Sequence, residues 1–229
     1  MSTIAENIAR IRDRIYNRAL KIGRNPDEIT LVAVSKTVEI ARVREAIAAG
    51  LTTFGENYVQ EAQEKIVQIG QGITWHMIGH MQTNKVKYVV PLFSMIQSVD
   101  SLRLAQEISE RAIRVGKPMD ILMQVNIGAE ETKTGLNPDQ VIAFLEDISP
   151  LKGIQVKGLM TMPPYFPDPE LARPFFQKLR RLRDHILPFL SAPHCFPHLS
   201  MGMSGDFEVA IEEGATIMRI GTAIFGARE

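Results

Sequence analysis

The segment Leu31-Val32-Ala33-Val34-Ser35-Lys36 delivers a lysine directly out of a short apolar run. At the C-terminal end of a buried strand such a lysine is partly desolvated, which lowers its pKa and favours the neutral amine that attacks aldehydes. A lysine paired there with a carboxylate has the same sequence, so the amine needs a second site beside it. Ser200-Met201-Gly202-Met203-Ser204-Gly205-Asp206 offers one, joining an apolar run to a helical pattern at 207–213. Its small residues let backbone N–H groups approach a ligand, Ser204 adds a hydroxyl, and the positive end of the following helix favours an anion such as phosphate. A plain Ser-Gly-Asp helix cap would look the same. In Ile217-Met218-Arg219-Ile220-Gly221-Thr222 an arginine interrupts an apolar strand. Arginine keeps its charge on burial, so it must face a partner or an open mouth, and Gly221 and Thr222 would add an N–H and a hydroxyl to the same anion site. Amine, phosphate cradle and fixed cation act together if one architecture brings their strand ends to one place.

The elements that must do so alternate. Residues 3–22 place Ile4, Ile8, Ile11, Ile15, Ala19 and Leu20 at helical spacing, which describes an amphipathic helix ahead of everything else. Short runs rich in β-branched and apolar residues follow at 29–34, 53–55, 74–78, 95–99, 121–125, 155–159, 198–201 and 217–220. Helical segments lie between them at 40–49, 59–68, 84–89, 102–115, 138–148, 169–189 and 207–213. Strands that alternate with helices and read as buried runs imply a parallel sheet, and eight of them suit a closed (β/α)8 TIM-type barrel better than a doubly wound open sheet. No linker or repeat divides residues 1–229, so a single domain with an extra N-terminal helix and no second β domain is expected. In such a barrel the chemistry sits where strands end, which is where Lys36, Ser204 and Arg219 fall.

At this point the residues resemble a known family. Val34-Ser35-Lys36-Thr37, Phe54-Gly55-Glu56-Asn57-Tyr58, Ile78-Gly79-His80 with Gln82-Thr83-Asn84-Lys85, Gly158-Leu159-Met160, Ser200 to Asp206, and Arg219-Ile220-Gly221-Thr222 are similar to the signature segments of the pyridoxal phosphate homeostasis proteins (the YggS/PROSC type). The resemblance runs from about Ile4 to Gly226. It implies a fold-type III barrel, akin to the barrel of alanine racemase, with pyridoxal 5′-phosphate (PLP) as a Schiff base on Lys36. It further implies that Ser204, Gly221 and Thr222 receive the phosphate, that Arg219 faces the pyridine nitrogen, and that Asn57 and His80 line the ring.

PLP is an electron sink that is deepest when its pyridine nitrogen is protonated. Arg219, a donor that stays charged, would leave that nitrogen unprotonated. Racemisation also needs an acid and a base on opposite faces of the ring; in alanine racemase a tyrosine from a second domain and a partner subunit supplies one of them. The sequence stops seven residues after Thr222, and Tyr16, Tyr58, Tyr88 and Tyr165 match no such motif. A non-catalytic carrier that keeps PLP for other, PLP-dependent apo-enzymes is therefore expected. The alternatives are an amino-acid racemase and a Schiff-base aldolase acting on a sugar phosphate. Lys133, in Glu131-Thr132-Lys133-Thr134-Gly135, is either a second amine near the mouth or an exposed loop lysine.

The remaining composition excludes other classes. Lys plus Arg and Asp plus Glu are 26 each, so no net field gathers nucleic acid or anionic membranes. The single cysteine, Cys195, the charged N-terminal stretch and the lack of a long apolar run point to a cytoplasmic protein without membrane spans, and the missing second domain points to a monomer. His76 and His80, and His194 and His198 around Cys195, are four apart but lie on strand or loop segments where such spacing does not converge; no metal is expected. The basic cluster Lys178, Arg180, Arg181 and Arg183 reads as a solvated helix face.

Overall fold

A computed structural model of the protein describes residues 2–128, 134–190, 192 and 194–227. Eight parallel strands close into a barrel in chain order. They are β1 (Thr30–Val34), β2 (Thr53–Glu56), β3 (Thr74–Met77), β4 (Met95–Val99), β5 (Met119–Gln124), β6 (Ile154–Met160), β7 (His198–Ser200) and β8 (Ile217–Ile220). Closure excludes the doubly wound sheet: β1 pairs with β2 on one side and with β8 on the other, from Thr30↔Ile217 to Ala33↔Ile220. The helices are α1 (Ile4–Lys21), α2 (Ile40–Ala48), α3 (Val59–Ile69), α4 (Val86–Val89), α5 (Leu102–Val115), α6 (Val141–Ile148), α7 (Arg173–Ile186), α8 (Phe207–Glu212) and α9 (Thr222–Phe225).

Side chains alternate across a strand, so each strand serves two cores. Val32, Met95, Leu122, Met160 and Ile217 form a separate buried cluster that fills the inside of the barrel. Ala33, Phe54, Trp75 and Ile96 belong to the larger cluster between strands and helices, where the Phe54 and Trp75 rings stand 5.5 Å apart.

α1 is started by a capping box between Thr3 and Glu6 and buries Ile4, Ile8, Ile11, Ile15 and Ala19 along one face. It packs against α2, α8 and α9. From this part of the chain the Asn7 amide donates to the Ile224 carbonyl at 3.0 Å, and Arg24 donates to the carbonyls of Ile211 (2.8 Å) and Ala215 (2.9 Å). Arg42 of α2 donates to the Phe225 carbonyl. The two short helices after β7 and β8 are thus tied down by polar side chains from the first barrel unit.

Element ends depart from the sequence pattern where the helix is short or flanked by proline. The 138–148 segment opens with a 3-10 turn at Pro138–Gln140, and 169–189 is α7 between 3-10 turns at Pro169–Ala172 and Leu187–Phe189. α9, a single turn starting after Gly221, has too few residues to show a period and was not expected. Among the described residues no helix is long and apolar enough to cross a membrane.

Candidate functional site

Lys36 stands two residues past β1, partly buried, in a turn whose backbone is unusual. Thr37 has φ 59°, the one positive value at a non-glycine residue among those described. For a β-branched residue this costs about 1–3 kcal/mol and persists only where neighbours enforce it. Thr37 N–H donates to Glu61 Oε1 at 2.5 Å, and Lys65 Nζ donates to the Ser35 carbonyl at 2.5 Å. Lys65 also bridges Glu56 Oε1 (2.9 Å) and Glu61 Oε1 (2.6 Å), while Ser35 Oγ donates to Glu56 Oε1 at 2.7 Å. Burial pushes the Glu56 carboxyl above the usual carboxylate range, against the opposing pull of Lys65 and Ser35.

Two strands farther round the barrel mouth, the loop between β7 and α8 is folded on itself: Met203 N–H donates to Asp206 Oδ1 at 2.6 Å and Asp206 N–H to the Met203 carbonyl at 3.2 Å. Burial raises the Asp206 carboxyl, opposed by the Met203 N–H and Arg219. Gly202 has φ 93°, and a Cβ there would lie 2.6 Å from that of Ala210, so both conformation and space require glycine. Ser204 Oγ accepts from Ala223 N–H at 3.2 Å, which joins this loop to the start of α9.

Arg219 projects from β8 to the inside of the barrel and is 4% exposed. It donates through Nη1 to Ser200 Oγ (2.5 Å) and through Nη2 to the Thr161 carbonyl (2.7 Å). Ser200 Oγ donates in turn to Gln97 Oε1 at 2.6 Å, and Gln97 Nε2 to His76 Nδ1 at 2.9 Å. Polarity therefore runs one way, from arginine through serine and glutamine to histidine. It requires His76 to be a neutral acceptor at Nδ1. Burial ensures this by pulling the His76 pKa down to about 4. Burial also lowers Arg219, to about 10, which leaves it charged at neutral pH.

Lys36, Asn57, Ser204, Arg219, Gly221 and Thr222 line one cavity of about 470 Å³. Met162, Tyr165 and Phe166, from the loop after β6, form an apolar side of it. His80 is exposed and does not line this cavity; Ile78 does. Asn57 is held by close backbone packing, since a Cβ at Gly79 would fall 2.5 Å from the Asn57 carbonyl. Lys133 lies outside the described residues. Among the described residues no group of three or more His, Cys, Asp or Glu is placed to hold a metal ion; His194 instead accepts from Val156 N–H at 3.2 Å. Sequence reasoning did not find Glu61, Lys65, Gln97 or His76. The arrangement can hold an anion at one end, a ring nitrogen against a fixed cation, and a carbonyl near a lysine.

Comparison with known proteins gives the chain relatives of like length. Residues 1–229 match the family described as "Alanine racemase, N-terminal domain". A "Pyridoxal phosphate homeostasis protein" of Aquifex aeolicus is 45% identical over 225 residues, covering 98% of each chain. The solved structure of PipY of Synechococcus elongatus with PLP bound is 34% identical, with a TM-score of 0.83 over 98% of this chain and 100% of that one. An alanine racemase of Clostridium difficile, 16% identical with a TM-score of 0.69, shares the fold across 100% of this chain and 57% of its own.

Proposed function

The chain belongs to the pyridoxal phosphate homeostasis proteins, within the wider alanine racemase N-terminal domain family, and from that premise we propose that it binds PLP reversibly through Lys36 and serves the homeostasis of that cofactor. PLP supplies an aldehyde that condenses with a primary amine, the aldehyde oxygen leaving as water as the C=N bond forms. The residues of the cavity fit such a group. Lys36 offers the amine. Ser204, Thr222 and the backbone around Gly221 would offer donors for the phosphate, and Asn57, which lines the same cavity, would adjoin the ring. Ile78 rather than His80 takes the adjoining wall.

The observation that carries the reading as a carrier is the state of Arg219. Its guanidinium is buried, charged and oriented by Ser200 and the Thr161 carbonyl. Set against a pyridine nitrogen, it would donate a hydrogen bond and leave that nitrogen unprotonated, which would keep the electron sink shallow. A racemase would also hold a second acid or base over one face of the ring. Tyr165 is the tyrosine on the cavity wall, and it is 83% exposed at the rim rather than fixed inside. Holding the cofactor, limiting free aldehyde and releasing it to PLP-dependent apo-enzymes is the role these features support; the cytoplasm and the monomeric state belong to the proposal on the sequence alone.

The test is the visible absorption of the purified protein beside Lys36→Ala, each with and without added PLP. A Schiff-base band present in the wild type and missing from the variant supports the proposal. A wild type that stays colourless with PLP overturns it in favour of a sugar-phosphate aldolase. Sustained racemisation of an amino acid, abolished by both Lys36→Ala and Tyr165→Phe, would replace the carrier with an enzyme.

A further inference from the structure

Burying opposite charges is a poor route to stability, because the hydration they lose is about as large as the attraction they gain. Yet Glu56, Lys65 and Glu61 form an ion triad on the helix side of β1 and β2, with Glu56 fully buried and the Lys65 side chain 6% exposed. Glu56 Oε2 finds no hydrogen-bond partner among the described residues, a further cost. The contacts of the triad converge on two backbone groups. Lys65 takes the carbonyl of Ser35, and Glu61 takes the N–H of Thr37: the groups immediately before and after Lys36. Immediately past the second of these groups comes the positive φ of Thr37, a conformation that the turn would not hold unaided.

Building on the assignment of Lys36 as the amine that captures PLP, we propose that Glu61, backed by Lys65 and Glu56, is a positioning clamp that aims Lys36 into the cavity and so governs capture of the aldehyde without governing binding of the phosphate. None of the three touches the reacting atoms; they act through the backbone on either side of Lys36. Capture requires the Lys36 nitrogen to reach the aldehyde carbon, form the C=N bond and release the oxygen as water. A misplacement of about 1 Å costs such a step roughly a hundredfold. The proposed phosphate donors belong to the loops around β7 and β8 and include no member of the triad, so capture and anchoring separate on mutation.

Two probes distinguish them in the full-length protein. PLP reports capture through growth of the visible band. Pyridoxine 5′-phosphate, which carries an alcohol where PLP has the aldehyde, reports anchoring alone by calorimetry. Glu61→Ala slows the band about tenfold to a hundredfold and leaves the affinity for pyridoxine 5′-phosphate unchanged. Glu61→Gln, which keeps an acceptor for Thr37 N–H, recovers most of the rate. An unaltered rate in well-folded Glu61→Ala, or equal weakening of both probes, overturns the clamp. A wild type that forms no band while binding pyridoxine 5′-phosphate rejects the assignment of Lys36 instead. Glu61 is at the helix surface with 25% of its side chain exposed; should Glu61→Ala nonetheless fail to fold, Glu61→Asp, shorter by one methylene, is compared with Glu61→Gln in the same way.

Discussion

Two adjoining stretches of the barrel mouth, β1–β2 and β7–β8, hold their functional groups by opposite means. On the β1–β2 side a reactive side chain is aimed by buried charge, with Lys65 and two glutamates gripping the turn from behind. On the β7–β8 side an anion site is made from loop backbone and hydroxyls, and α8 beside it is latched from outside by partly exposed pairs. Arg14 and Arg18 of α1 reach Glu208 and Glu212, and Arg173 and Arg180 of α7 reach Glu212 and Glu213. A phosphate is recognised by several donors at once and tolerates small adjustments in each. A single amine has one direction of approach and tolerates few. Buried charge is spent where direction matters.

If that contrast is real, the largest effect follows from breaking the buried side. Lys65→Ala leaves the buried Glu56 without its counter-charge, with the Ser35 hydroxyl still donating to it, and should cost about 3–5 kcal/mol in urea unfolding. Replacing both partners, Glu56→Gln with Lys65→Met, should recover most of it; equal losses in the two variants would remove the contrast.

Next is the relay of Arg219, Ser200, Gln97 and His76, which crosses the inside of the barrel from β8 and β7 to β4 and β3. The folded-state pKa of His76, about 4, lies below its ordinary 6.5. The unfolded chain therefore binds the proton that the native state refuses, and stability falls as pH drops from about 6.5 towards 4. The loss approaches ~3 kcal/mol at the acid end, and His76→Asn should flatten that part of a stability–pH curve. A curve of unchanged slope in the variant would place the acid sensitivity elsewhere.

Gly202→Ala probes the anion side. The added methyl meets Ala210 and the positive φ is strained, so about 1–3 kcal/mol is expected together with weaker binding of pyridoxine 5′-phosphate. Full affinity in this variant would show that the β7–α8 loop does not shape the phosphate site. The smallest effect belongs to the outer latch. Arg14→Ala, at a pair whose side chains are 44% and 27% exposed, should cost less than about 1 kcal/mol and still less in high salt. A salt-independent loss of several times that size would mean that the latch is as critical as the buried triad.

How much of this was legible in the sequence follows from what each feature looks like along the chain. The eight strands were readable because strands covered on both faces leave near-continuous apolar runs, and β4 and β8 fall on the expected residues. The gathering of Lys36, Ser204, Arg219, Gly221 and Thr222 followed from their places just after or within those runs. Glu61 and Lys65 were not readable: an acid and a base four apart on an amphipathic helix have the pattern of a solvated pair, and only the packing of α3 against β2 and the turn after β1 buries Lys65. His76 and Gln97 sit in strands among apolar neighbours, where nothing local shows which strands face each other across the barrel. His80 was placed by likeness rather than by physics. Its strand ends at Met77, the Ile78 N–H still bonds to Glu56, and two residues farther on the chain has left the wall.

The hydrogen bonds of the lysine turn and those that tie α1 to α9 differ in how far along the chain they reach. Ser35 to Glu56 and Lys65 to Ser35 span 21 and 30 residues, whereas Asn7 to Ile224 spans 217. Short loops close early and long ones late, since each must lose more chain entropy before its contacts form. The Asn7 latch on α9 is thus the costliest of these contacts to close, while the lysine turn and the Ser204–Ala223 link beside it, 19 residues apart, each close over short loops.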